Sequence, residues 1–155
     1  MTITNVEIRK PTDRDIRILV ENLRDSDKEE MKAYFNEDYT WQIKTSVKYS
    51  SDAWSVIVNG KLLFICGVGL TSMIGSVGCP WLLGTTFIQD NKKEFFKQAQ
   101  LILAEMKESY SVLENHVHAK NSAAVLFLRR LGFKLGEPEP YGANGDLFHP
   151  FVMVA

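Results

Sequence analysis

His116 and His118 stand two residues apart in Val112-Leu-Glu-Asn-His-Val-His118. A strand would turn both imidazoles to one face. Neutral imidazole near pH 7 can take a proton or bind a metal ion, and two polar positions on a half-exposed strand need do neither. A metal would need a third ligand at sensible spacing, and the chain supplies none, so no metal is expected. The two cysteines, Cys66 and Cys79, are too few for a disulfide framework. They read as buried thiols that could face one another across adjacent strands. Gly67, Gly69, Gly75 and Gly78 between them are not followed by the Gly-Lys-Ser/Thr of a phosphate loop. That stretch reads as a mobile connection. Tyr141, in a loop rich in Pro and Gly, is a further candidate for an acid or base, or an aromatic that packs the loop.

The elements that must position these residues follow from pattern. At 155 residues, with 45% hydrophobic and 24% charged side chains, the chain fits one domain, 1–155, able to bury a core unaided. Its eighteen basic and nineteen acidic residues form no basic surface of the sort nucleic acid requires. No apolar run is long enough to cross a membrane, so neither nucleic acid nor membrane is an expected partner. The cytoplasm is the expected location.

Residues 1–50 hold nine basic and ten acidic side chains, whereas 51–89 hold only Asp52 and Lys61. A charge-poor middle flanked by charged segments predicts a sheet interior between helices. Ile3 to Arg9 reads as a strand. Thr12 and Asp15 frame a helix start ahead of Ile16, Leu19, Val20 and Leu23 at helical spacing. Ser26 opens a second, shorter helix with Met31, Tyr34 and Phe35. Trp54–Val58, Asn59-Gly60 and Leu62–Cys66 form a hairpin with a type I′ turn. Trp81–Thr85 is a strand. Asn91, with Glu94 three residues on, is the expected capping box of a helix reaching about Tyr110.

Val112–His118 is the next strand, and Asn121 or Ser122 caps a helix closed by Gly132. Phe133–Leu135 and Leu147–Val154 close a last hairpin, with Pro150 marking an edge or a bulge. The order is β-α-α-β-β-β-α-β-α-β-β. The right-handed crossover predicts that Trp81–Thr85 and Val112–His118 run parallel and separate at their C-terminal ends.

That order, with Ile8-Arg-Lys-Pro-Thr-Asp-Arg-Asp-Ile16 at the start, resembles the GNAT superfamily of N-acetyltransferases. Asn121, Ala124, Phe127, Gly132 and Phe133 keep the spacing of that family's last helix and its cap. Gly78-Cys-Pro-Trp-Leu-Leu-Gly-Thr85, the Lys-rich helix and His-Val-His also resemble internal virion proteins of short-tailed bacteriophages, which look like diverged members of the fold.

The resemblance implies a single mixed α/β domain, a central sheet flanked by helices, and transfer of an acetyl group from acetyl-CoA to a small-molecule or protein amine. It assigns CoA contacts to Leu83, Thr85, Gln89, Asp90, Asn91, Lys92, Lys93, Asn121 and Phe127. The pyrophosphate would lie on the N-terminus of the Asn91 helix. His118, nearer the end that splays, is the implied base, with Tyr141 on the acceptor side.

Lys92 and Glu94 stand where the family has small residues, and Leu128 where it often has a proton-donating Tyr. These departures leave a second reading open: a non-catalytic protein located in the virion, bound to other virion proteins, that kept the fold with a degenerate CoA site. They also predict weak acetyl-CoA binding, because side chains keep phosphate off the backbone.

Overall fold

The computed structural model describes residues 5–34, 39–72 and 74–155. Ile3 and Thr4 of the expected first strand, and Phe35 of the second helix, lie outside them. The chain runs β1 (Val6–Arg9), α1 (Asp13–Glu21), α2 (Asp25–Tyr34), α3 (Tyr39–Tyr49), β2 (Asp52–Val58), β3 (Lys61–Ser72) and β4 (Val77–Gly84). A 3-10 segment, Thr86–Asp90, leads into α4 (Lys92–Ser109). β5 (Val112–His118), α5 (Ser122–Leu131), β6 (Lys134–Leu135), β7 (Glu139–Tyr141) and β8 (Asp146–Val154) complete it.

Local chemistry fixes several junctions. Thr12 and Asp15 form the expected reciprocal capping box. The wholly buried Asp15 carboxylate also accepts from Arg9 Nη2 at 2.7 Å and Ser55 Oγ at 3.0 Å, tying α1 to two strands. Asn59 and Gly60 take φ of 49° and 79° in the β2–β3 turn, as a type I′ turn demands. Asn121 caps α5 through Ala124 N–H, and Gly132 ends it at φ 105°.

The strands form one mixed sheet in the order β1-β2-β3-β4-β5-β8-β6, with β7 also on β8. Neighbours are antiparallel except β4 and β5, which run parallel across the α4 crossover. α1, α2 and α3 cover one face, where Ile16, Leu19, Met31 and Ile43 meet Ile57 and Ile65. α4 and α5 lie on the other, where Phe95, Ile102 and Met106 meet Phe64, Cys66, Leu113 and Val117.

Three expectations are corrected and a fourth is narrowed. The stretch from Cys66 to Cys79 is no loose connection, since β3 and β4 pair as far as Ser72 and Val77. Its glycines make room for rings: a Cβ on Gly67 would sit 2.7 Å from Trp81, and one on Gly78 2.8 Å from Tyr110. Cys66 pairs with Leu82 and Cys79 with Gly69, so the thiols do not face each other. Pro150 lies in an interior strand and not at an edge, and of the two expectations for it the bulge stands: residues 136–138 oppose only 149–150 between β6 and β7, and the Pro150 carbonyl takes Gly136 N–H at 2.8 Å there. Asn91 makes no side-chain cap, because its amide turns back to Phe87 O at 3.1 Å while Glu94 takes Gln98 Nε2. The helix α3, rich in β-branched and aromatic residues of modest helix propensity, has no counterpart in the pattern-based order, and neither has β7.

Candidate functional site

Parallel pairing of β4 and β5 covers only Val77 with Val112 and Gly78 with Leu113. Beyond that the strands part towards their C-terminal ends, as the crossover argument requires. Pro80 supplies a reason: its carbonyl faces β5, and on that side it has no N–H to continue a ladder. Asn115 fills the break, its Nδ2 donating to Pro80 O at 2.8 Å and its Oδ1 accepting His116 N–H at 2.8 Å. Asn115→Leu should therefore cost about 1–2 kcal/mol in urea unfolding, since it strips two backbone groups of their partner. An unchanged midpoint would show that water replaces the amide without loss.

A cavity of about 740 Å³ passes through this gap. On the α4–α5 face its wall includes Cys66, Phe95, Ile102, Leu103, Met106 and Phe127. On the face of α1, α2 and α3 it includes Asp27, Glu30, Met31 and Trp81. Two molecules entering from opposite faces would meet at the gap.

The α4–α5 end is suited to an anion. The first turn of α4 carries no side-chain cap, so its N–H groups and the positive end of the helix dipole are turned outward. Lys92 and Arg130 line the cavity there, while Arg24, which also lines it, is ion-paired to Asp27. Arg130 lies 4.5 Å from the Phe96 ring centroid, and Arg24 5.7 Å from that of Phe95.

The other end is suited to an ammonium group. Asp27 is wholly buried, and its Oδ2 takes both Arg24 Nε at 2.9 Å and Gly84 N–H at 2.8 Å. Glu30 differs. Its Oε1 accepts His118 N–H at 2.9 Å and Asn121 Nδ2 at 3.3 Å, with no cation beside it in either bond. Burial holds its carboxyl above the usual range, and the charge of Asp27 acts in the same direction against those two hydrogen bonds. Pattern reading missed Glu30 because nothing in Ser26-Asp-Lys-Glu-Glu30 sets one carboxylate apart.

The residues singled out from sequence are distributed unevenly. Leu83, Lys92, Asn121, Phe127 and Tyr141 line the cavity. Gln89, Asp90, Asn91 and Lys93 are not among its lining residues. Thr85 is wholly buried, and its hydroxyl donates to Leu62 O at 2.7 Å, which takes it away from any ligand. His118 lies behind Glu30: Lys120 N–H reaches its Nδ1 at 3.3 Å and Asp146 Oδ2 its Nε2 at 2.9 Å, so both ring nitrogens are engaged. His116 stacks on Tyr141 at 3.8 Å between centroids, and its Nε2 is 3.4 Å from Glu139. Leu128 lines the cavity and has no proton to give.

Burial pushes the Cys66 thiol up, and burial with the Glu114 charge does the same to Cys79. Both are thus held as unreactive thiols. Among the described residues, no group of three or more His, Cys, Asp or Glu could hold a metal ion, and no helix is long and apolar enough to cross a membrane.

Solved structures place this architecture. The chain is similar to a spermidine N-acetyltransferase chimera from Vibrio cholerae and hSSAT, at 15% identity over 97% of this chain and 96% of that one, TM-score 0.71. It is similar to a ribosomal-protein-alanine N-acetyltransferase from Brucella melitensis, at 15% identity over 96% and 99%, TM-score 0.68. An aminoglycoside acetyltransferase in complex with coenzyme A matches at 17% identity over 97% and 95%, TM-score 0.69. No protein-family model matches the sequence, and no curated protein matches it. The likeness is one of fold, and the fold is that of the GNAT acetyltransferases.

Proposed function

We propose that the protein is an N-acyltransferase that moves an acyl group from a CoA thioester, acetyl-CoA being the simplest, to a small-molecule or protein amine. The observation that carries this reading is the cavity through the β4–β5 gap, with Lys92 and Arg130 at one end and the Glu30 carboxylate at the other. Fold alone would not carry it.

The thioester would enter between α4 and α5, with its phosphates by Lys92 and Arg130. The amine would enter on the α2 side. Glu30 takes a proton from the incoming ammonium, which is the work its raised affinity for protons suits. The freed nitrogen attacks the thioester carbonyl and the C–N bond forms; the nitrogen sheds its second proton to water as the C–S bond breaks, and the departing thiolate takes a proton from water. Leu128 offers no acid for that last step. Of the two catalytic candidates named from sequence, Tyr141 keeps a place in the cavity wall, where it serves as an acceptor-side surface, and the base is Glu30 in place of His118.

The competing reading is a non-catalytic internal virion protein of a short-tailed bacteriophage, docked on other virion proteins. Lys92, Glu94 and Leu128 favour it. Thiol release from acetyl-CoA, followed with a polyamine, an alanyl peptide and an aminoglycoside in turn, separates the two. Acceleration by one amine class is the expected result. Amine-independent background with all three, together with no stabilisation by CoA in a melting curve, would leave only the non-catalytic protein.

A further inference from the structure

The cavity does not end where an acetyl group would. Its α4 wall runs from Lys92 to Met106, fourteen residues along one helix, or about 21 Å at 1.5 Å per residue. Lys92 lies at the open side of the gap, beside the C-terminal end of β4. Met106 lies at the opposite side, where Tyr110 packs on Gly78 and β4 and β5 are still paired. The far end, bounded by Ile102, Leu103, Met106, Leu131, Phe133 and Phe151, is apolar throughout.

α5 explains why this space stays open. It is amphipathic, with Ala124, Phe127, Leu128 and Leu131 turned towards the core cluster, yet it contains no wholly buried residue. Its apolar stripe packs against the core cluster and roofs the cavity without filling it. A pocket with cations at one mouth and an apolar far end matches an amphiphile with an anionic head and a hydrocarbon tail.

We propose that the donor is a medium-chain acyl thioester, whose hydrocarbon tail folds back from the β4–β5 gap into the apolar end beneath α5. This rests on reading the cavity as a thioester site. Leu128 fits the same role, because it extends the apolar roof where a hydroxyl would interrupt it.

Calorimetric titration of the wild-type protein with CoA, acetyl-CoA, hexanoyl-CoA and decanoyl-CoA, each below its micelle concentration, tests the inference. Affinity should rise about tenfold for every two methylenes that enter the apolar far end, until it is full. Leu103→Trp should erase that increment and leave CoA binding unchanged. Decanoyl-pantetheine binding in the absence of any CoA binding would support the tail site while overturning the nucleotide reading. Equal affinities for acetyl-CoA and decanoyl-CoA would overturn the tail site and leave the acyltransferase intact. No binding of any of these, with self-association of the protein in its place, would assign the apolar space to a second copy and overturn the inference.

Discussion

Glu30→Gln is expected to lower kcat/KM for amine acylation by about 10²–10⁴-fold, the usual contribution of a positioned general base. The substitution keeps Oε1 as an acceptor for His118 N–H and Asn121 Nδ2, so the strand end and the α5 cap should survive. It removes the charge. Because the folded-state carboxyl is held above its ordinary value, the folded protein binds that proton more tightly than the unfolded chain does. Stability from this group is therefore present at low pH and is lost as pH rises through the raised value. Glu30→Gln should accordingly melt higher than wild type at neutral pH, and the difference should vanish below the usual carboxylate range. The wild-type rate should rise with pH over the same interval in which the stability falls, and the variant should show neither change. A variant that loses activity and stability together would make Glu30 structural, and one that keeps full activity would end its role as base.

Junctions decided by neighbours in sequence were legible, and junctions decided across the sheet were not. The Thr12–Asp15 box, the Asn59-Gly60 turn and the Asn121-to-Gly132 helix each complete their hydrogen bonds within a few residues. The parallel β4–β5 pair was also foreseeable, because the length of α4 and the hand of the crossover allow little else. Gly67 and Gly78 misled because their reason is a ring on another element. A run of glycines without its covering rings looks like a loop. Asn91 misled in the opposite sense: a favourable cap residue found a better acceptor in the 3-10 segment just before it, which helical pattern does not disclose. Glu30 was invisible for the reason that it is one carboxylate among several in α2, singled out only by the end of β5 that settles against it.

CoA at one fixed concentration should raise the wild-type melting temperature, and the first turn of α4, by setting the dissociation constant, should set the size of the shift. At 100 times its dissociation constant a ligand stabilises by about 2.7 kcal/mol, several degrees for a domain of this length. Lys92 and Glu94 work against each other here. Lys92 lies on the cavity rim and attracts phosphate as a side-chain charge. Glu94 puts a carboxylate in the turn whose uncapped N–H groups would otherwise take phosphate directly. The wild-type shift should therefore be small and shrink further in high salt, as exposed charge attraction does. Glu94→Gly removes both the repulsion and the Cβ, and should tighten CoA binding about tenfold, or about 1.4 kcal/mol. Lys92→Glu should abolish the shift. Each variant is compared with its own ligand-free melting curve, since glycine in a first turn lowers intrinsic stability by up to about 1 kcal/mol. Shifts that are the same in all three proteins would remove the α4 N-terminus from the donor site, and the cation left to hold phosphate would be Arg130.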